Sequence, residues 1–277
     1  MKKLFGPSFL ALAITTLPSC SLDDRYFDAR KTSAYSLGYS VIPQASVEEV
    51  SLSSNGETIA GVFVKAINQG ADTKTILYVH GDDKDIDKYW ARVEHLYPLD
   101  VNIFIFDFQG YGKSTGKPSL KGITQNTRDA LSYLKTRGDV NQSKIIHYAF
   151  SLGAIFSLDV SANTEMPQAV IAENSPSSSD GVIRSSTGVG IPGSFFFDET
   201  FDNVENISRL TVPVLLFHSK NDETIPFDGN ARPLFAAARQ PKTTVEVEIA
   251  QHSDLIEVMT PTAYRAAITS FFNANGL

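Results

Sequence analysis

A serine hydroxyl attacks a carbonyl only when a base takes its proton and, as a rule, a carboxylate orients that base. One serine of this chain stands in a setting suited to such work. In Tyr148-Ala149-Phe150-Ser151-Leu152-Gly153-Ala154 an apolar run containing Ile145, Ile146 and Tyr148 stops at a serine flanked by small residues two positions away on each side. A new apolar stretch begins after it, the layout of a strand, a sharp turn and a helix with the serine at the apex. So tight a turn strains the backbone at its apex and brings strand and helix together, which requires Ala149 and Gly153 to be small. The helix starting at Leu152 then aims its free N–H groups and positive dipole end at whatever Ser151 attacks. Alone, the pentapeptide reads by default as an ordinary helix start, and the rest of the chain has to decide.

The chain has five histidines. His95 falls in a helical pattern, His147 and His218 lie within or at the end of apolar runs, and His80 ends the first such run. His252 differs. It lies in Ala250-Gln251-His252-Ser253-Asp254, after the alternating stretch 244–249 and shortly before the last helical pattern. That is a loop at a strand's carboxyl end, where open parallel sheets build their sites. The orienting carboxylate should come from another such loop. Asn221-Asp222-Glu223 follows the apolar run 212–217, and Ile225-Pro226 closes the turn. Asp222 is the choice and Glu223 the reserve.

The elements that must hold these residues are legible as patterns. Residues 47–52 and 58–64 alternate around Ser54-Asn55-Gly56, which predicts an antiparallel hairpin. Apolar runs follow at 75–79, 101–106, 144–150, 169–172 and 212–217, as strands buried on both faces require. Between them, Ile86, Trp90, Val93 and Tyr97 share one helical face, and so do Ile123, Ala130, Leu131 and Leu134. A last helix is capped by Thr260, opens with Pro261 and carries Tyr264, Ala267, Ile268, Phe271 and Phe272 as its stripe. Strands alternating with helices predict an α/β domain with a mostly parallel sheet. The stretch 175–207, rich in Ser and Gly and then in Phe195, Phe196, Phe197 and Phe201, reads as a cap-like insertion over the carboxyl ends of the strands.

With serine, acid and histidine in that chain order, each after its own strand, the sequence resembles the α/β-hydrolase superfamily, nearest to its small Bem46-like serine hydrolases. The resemblance covers 47–277. It rests on Tyr78-Val79-His80-Gly81, on Asp107-Phe108-Gln109-Gly110-Tyr111-Gly112-Lys113-Ser114, on the serine turn, on 213–222 and on His252-Ser253-Asp254-Leu255. It implies the α/β-hydrolase fold, with helices on both faces of the sheet. It also implies a Ser151, Asp222, His252 triad and an oxyanion hole made by the backbone N–H groups of Leu152 and Asp82. His80 is expected to brace its turn and Asp107 to hold a hydrogen-bonded turn. The sequence departs from the family pattern in two places: Ala149 stands where glycine is usual, and Asp82-Asp83 where uncharged residues are usual. Carboxylates beside the hole oppose a developing oxyanion, and acidic substrates should suffer most.

The N-terminus reads as a targeting segment. Met1-Lys2-Lys3 precedes a short apolar stretch ending at Leu17-Pro18-Ser19-Cys20, which resembles a bacterial lipoprotein signal. Residues 1–19 are then a signal peptide, Cys20 the lipidation site, 20–45 a lipidated tether and 46–277 the hydrolase domain. The expected location is the bacterial cell envelope, membrane-anchored through Cys20. The one cysteine excludes a disulfide framework, and the formal charge of −7 without a basic cluster argues against nucleic acid. No cofactor or metal is expected. The partner is a small-molecule, acyl or peptidyl substrate, and the activity an esterase, thioesterase or peptidase. The competing reading is a surface lipoprotein with an inactive hydrolase fold that binds a ligand or partner.

Overall fold

The computed structural model describes residues 27–187, 190, 192–195 and 199–277. The signal peptide, Cys20, Phe196, Phe197 and the Phe195 side chain, with the readings made of them, lie outside this description.

The chain forms a two-residue strand β1 (Asp28–Ala29), then β2 (Val47–Ser54), β3 (Glu57–Val64), β4 (Thr75–Val79), β5 (Asp83–Lys84), β6 (Asn102–Phe106), β7 (Ile145–Phe150), β8 (Ala169–Glu173), β9 (Val214–Ser219) and β10 (Lys242–Val247). The helices are α1 (Ile86–Leu96), α2 (Leu120–Thr136), α3 (Gly153–Asn163), α4 (Ser179–Thr187), α5 (Asn203–Arg209), α6 (Phe227–Ala237), α7 (Leu255–Met259) and α8 (Pro261–Ala274). Eight strands join in the order β10-β9-β8-β7-β4-β6-β3-β2. The neighbours from β10 to β6 are parallel, whereas the hairpin β2-β3 attaches antiparallel to β6. Asn55 and Gly56 both take positive φ, 52° and 80°, as the two central residues of a tight hairpin turn must.

Alternation within the strands fills both faces. Tyr78, Ile103, Ile105, Ile146 and Tyr148 pack with α1 and α8, while Leu77, Val79, Phe104 and Phe106 pack with α2 and α3. The sheet is therefore covered by helices on both sides, and the carboxyl ends of β4, β7, β8, β9 and β10 point to one rim. The loops on that rim carry the site.

Two boundaries differ from the sequence reading. The stretch expected as a tether is fastened to the domain from Asp28 onward. β1 pairs parallel with β5, Arg30 is bonded to the buried Asp85 (Nε–Oδ2 2.9 Å, NH2–Oδ2 2.6 Å), Tyr35 donates to Asp107 at 2.5 Å, and Ile42 is fully buried. Single anchoring side chains do this work, and they leave no periodic pattern. Within 175–207, α5 belongs to the body: Ile207 is buried with Ala154, Leu158 and Leu234 of α3 and α6.

Candidate active site

β7 ends at Phe150, and Ser151 takes φ of 52°, a left-handed conformation that costs a non-glycine residue energy. The strain is held by packing. Ser151 N donates to Glu173 O at 2.9 Å, and α3 starts at once. A Cβ on Gly153 would stand 2.1 Å from Val79 O and 2.4 Å from His80 O, so only glycine lets the helix approach the strand end this closely. Ala149 meets no such obstacle. Its methyl is buried with Ala154, Leu158 and Ala172, which is how the chain accepts alanine there.

The structure brings Ser151, His252 and Asp222 into one hydrogen-bonded line. His252 Nε2 lies 2.8 Å from Ser151 Oγ, and its Nδ1 lies 2.7 Å from Asp222 Oδ2. The carboxylate can only accept, so Nδ1 carries the proton and Nε2 offers its lone pair to the serine hydroxyl. The Asp222 side chain is fully buried, and its other oxygen accepts from the amides of Thr224 (2.9 Å) and Ile225 (2.7 Å). Glu223 is exposed, so the choice between the two acids falls on Asp222. His218, one strand away, donates Nε2–H to Ile225 O at 2.9 Å and is kept neutral by burial.

On the other side of the serine, the Leu152 amide has no acceptor among the described residues and opens α3. Asp82 is half-buried in the loop after β4. Burial raises the pKa of its carboxyl, while its own backbone amide and the nearby His252 pull it back down. Asp83 is paired with Lys88 at 3.1 Å and lies 3.7 Å from Lys84. His80 touches none of the three reacting groups. Its ring is stacked between Phe108 and Tyr89, with centroids at 3.9 and 4.9 Å, and Nδ1–H donates to Gly81 O at 2.6 Å. Burial pushes its pKa down to about 4. Asp107 accepts from Ile86 N (2.9 Å), Lys113 N (3.0 Å) and Tyr35, and burial pushes its carboxyl up to about 6 despite those bonds.

Asn174, Arg92 and Glu173 escaped the sequence reading. Asn174, at φ of 45° just past β8, donates to His252 O at 2.7 Å. Arg92 of α1 donates to Ser253 O at 3.1 Å and to Glu173 Oε1 at 2.7 Å. No local pattern marks them, because each acts through a partner distant in sequence. A cleft of about 660 Å³ opens between α2, α3, α4 and α5, with Leu120, Ile155 and Phe201 in its walls. The three aligned residues are not among those walls, although Ile155 is only one helical turn from Ser151. Among the described residues no group of three or more His, Cys, Asp or Glu side chains is placed to hold a metal ion. A hydroxyl aligned with an imidazole and a buried carboxylate, beside a free amide at a helix start, can carry out acyl transfer.

No family model matches the chain. It is 26% identical over 276 residues to the uncharacterized protein YfhR of Escherichia coli strain K12, which covers 98% of this chain and 93% of that protein. It is 32% identical over 206 residues to alpha/beta hydrolase domain-containing protein 17B of Homo sapiens, across 73% of this chain and 67% of that protein. Among solved structures, an esterase of Pyrococcus furiosus is similar with a TM-score of 0.71 at 16% identity, over 91% of this chain and 98% of that one. An acylaminoacyl peptidase in complex with a chloromethyl ketone gives 0.64 at 16% identity, over 82% of this chain and 41% of that one. At these identities the structural likeness is one of fold.

Proposed function

The chain belongs to the α/β-hydrolase superfamily, and from that premise we propose that it is a serine hydrolase that cleaves a carboxylic ester, thioester or amide through an acyl-enzyme. The observation that carries the reading is the unbroken line from Ser151 Oγ through His252 to the buried Asp222. As the hydroxyl attacks the substrate carbonyl, His252 takes its proton, and Asp222 stabilises the imidazolium that forms. The tetrahedral oxyanion is held by the Leu152 amide and by the Asp82 amide. Each such donor is worth roughly 3 kcal/mol of transition-state stabilisation. The imidazolium then protonates the leaving group, and water, activated by the same His252, releases the acyl group and regenerates Ser151.

The test uses the protein from Ser21 onward. A fluorophosphonate probe labels Ser151, and short p-nitrophenyl esters are hydrolysed. Ser151→Ala loses both, with a rate at least about a thousandfold lower. A folded wild-type sample that takes no label and matches Ser151→Ala would sink the enzyme reading in favour of the second one, a binding protein on this fold. The observation favouring that alternative is the half-buried Asp82 carboxylate in the loop whose amide the oxyanion needs. A panel of p-nitroanilides beside the esters separates peptidase from esterase.

A further inference from the structure

His252 belongs to the loop 248–254, beyond the last strand, so no sheet ladder fixes its position. Two side chains from the domain frame hold its main chain. Asn174 Nδ2 donates to His252 O, and Arg92 NH2 donates to Ser253 O. Arg92 is 9% exposed and set in α1, the helix that begins directly behind the Asp82 loop. Its second amino group is bonded to Glu173, whose other carboxylate oxygen accepts from Tyr148 OH at 2.5 Å and Tyr264 OH at 3.0 Å. The guanidinium lies 3.8 Å from the centre of the Phe150 ring, and that ring is 5.2 Å from the His252 ring. Through its own carbonyl, Glu173 receives the Ser151 amide. One buried cation thus touches the residue before the nucleophile, the residue after the base and the carboxylate behind both.

We propose that Arg92 is the positioning residue of the base loop. Its planar fork fixes the Ser253 carbonyl from one arm while Glu173 fixes the fork from the other. Resting on the serine-hydrolase reading, this goes beyond it by giving α1 a part in proton transfer. The geometry requires arginine. A fork of fixed donors can satisfy a carboxylate and a carbonyl in two directions while its face stacks on an aromatic ring; a lysine ammonium offers a point charge on a flexible stem. Burying the cation is costly unless it is paired, and Glu173 supplies that pairing. The pairing alone does not call for the bond to Ser253. A displacement of the imidazole by about 1 Å costs on the order of a hundredfold in rate, so a loop released at residue 253 should show it.

Two variants and three readouts test this: kcat and KM on a p-nitrophenyl ester, the fluorophosphonate labelling rate, and the thermal midpoint. Arg92→Lys keeps a charge for Glu173 and gives up the fork to Ser253. The double variant Arg92→Met with Glu173→Gln removes both charges and leaves the tyrosines an acceptor. Both are expected to fold and to lose about tenfold or more in kcat and labelling rate, with KM within about twofold of wild type. Wild-type kcat in a folded sample of either variant overturns the proposal, since Arg92 then only balances Glu173. Wild-type protein that takes no label defeats the underlying hydrolase reading instead, and the positioning role with it.

Discussion

The two sides of Ser151 are built differently. On the base side every link is a hydrogen bond between groups held by the frame: Asp222 is fully buried and doubly bonded to amides, His252 is bonded at both ring nitrogens, and its loop is held by Asn174 and Arg92. On the oxyanion side the loop after β4 carries Asp82 and Asp83. It leans on a two-residue strand from the N-terminal segment and on Arg30, whose side chain is half-exposed. On the proposed mechanism the base side is preorganised for one proton transfer, the same for any acyl substrate. The oxyanion side is charged, partly wet and made from residues the superfamily pattern does not require, so under that proposal the features that select a substrate are concentrated there.

The two sides meet at Gly153, and the largest effect is expected there. Gly153→Ala drives a methyl into the backbone oxygens of Val79 and His80, which belong to the oxyanion side and cannot turn away as a side chain can. The cost is about 4 kcal/mol or more, among the exceptional single substitutions. Ala149→Gly, at the matching position before the serine, should cost about 1 kcal/mol or less. Urea midpoints of the two variants check this, and equal midpoints would show that the close approach after the serine is no tighter than the one before it.

Acid is the next probe of the comparison. His80 beneath the oxyanion turn and His147 in β7 are both fully buried, and burial pushes each pKa down from an ordinary 6.5 to about 4. The unfolded chain takes up these protons near pH 6.5 and the folded one not until about pH 4. The contribution of these two histidines is therefore whole above pH 6.5 and lost as pH falls from there to 4, while Asp107, its carboxyl raised to about 6, works in the opposite direction. Each fully protonated site accounts for about 3 kcal/mol at about 1.4 kcal/mol per pH unit. His147→Gln should remove its own share of that acid sensitivity and leave the shares of His80 and of His218, which burial also lowers, measured by urea unfolding at pH 7.0 and 4.5. If it removes all of it, His80 and the oxyanion turn contribute nothing.

Legibility in the sequence followed the same division. The strands of the sheet's centre could be read because burial on both faces makes short uninterrupted apolar runs, and 75–79 is β4 to the residue. Ser151 and Asp222 could be read because each follows such a run, and His252 because it follows the alternating stretch 244–249. What stayed hidden is held by single contacts over long separations. Arg92 and Ser253 are 161 residues apart and Asn174 and His252 are 78 apart, so no window along the chain contains either pair. The N-terminal segment is fastened by Arg30, Tyr35 and Ile42, which share no period. Helix α6 was missed for another reason: Pro233 lies inside it and interrupts the pattern a helix usually shows.

The smallest expected effect is the most informative about selection. In Asp82→Asn the volume stays and the charge goes. The carboxylate is half-buried and within reach of the field of His252. On the proposed mechanism, a substrate oxyanion held at the Asp82 amide develops a second negative charge beside it. One charge a few Å away in a partly wetted site is worth about 1 kcal/mol, a factor of about five in rate. The variant should therefore raise kcat/KM for a neutral p-nitrophenyl ester about fivefold, and by more for an ester bearing a carboxylate, because ground-state repulsion is relieved as well. Equal rates for both esters in wild type and variant would mean that Asp82 turns to solvent when substrate binds. The difference between the two sides of the serine would then be one of construction only, with selection left to the walls of the cleft around Leu120, Ile155 and Phe201.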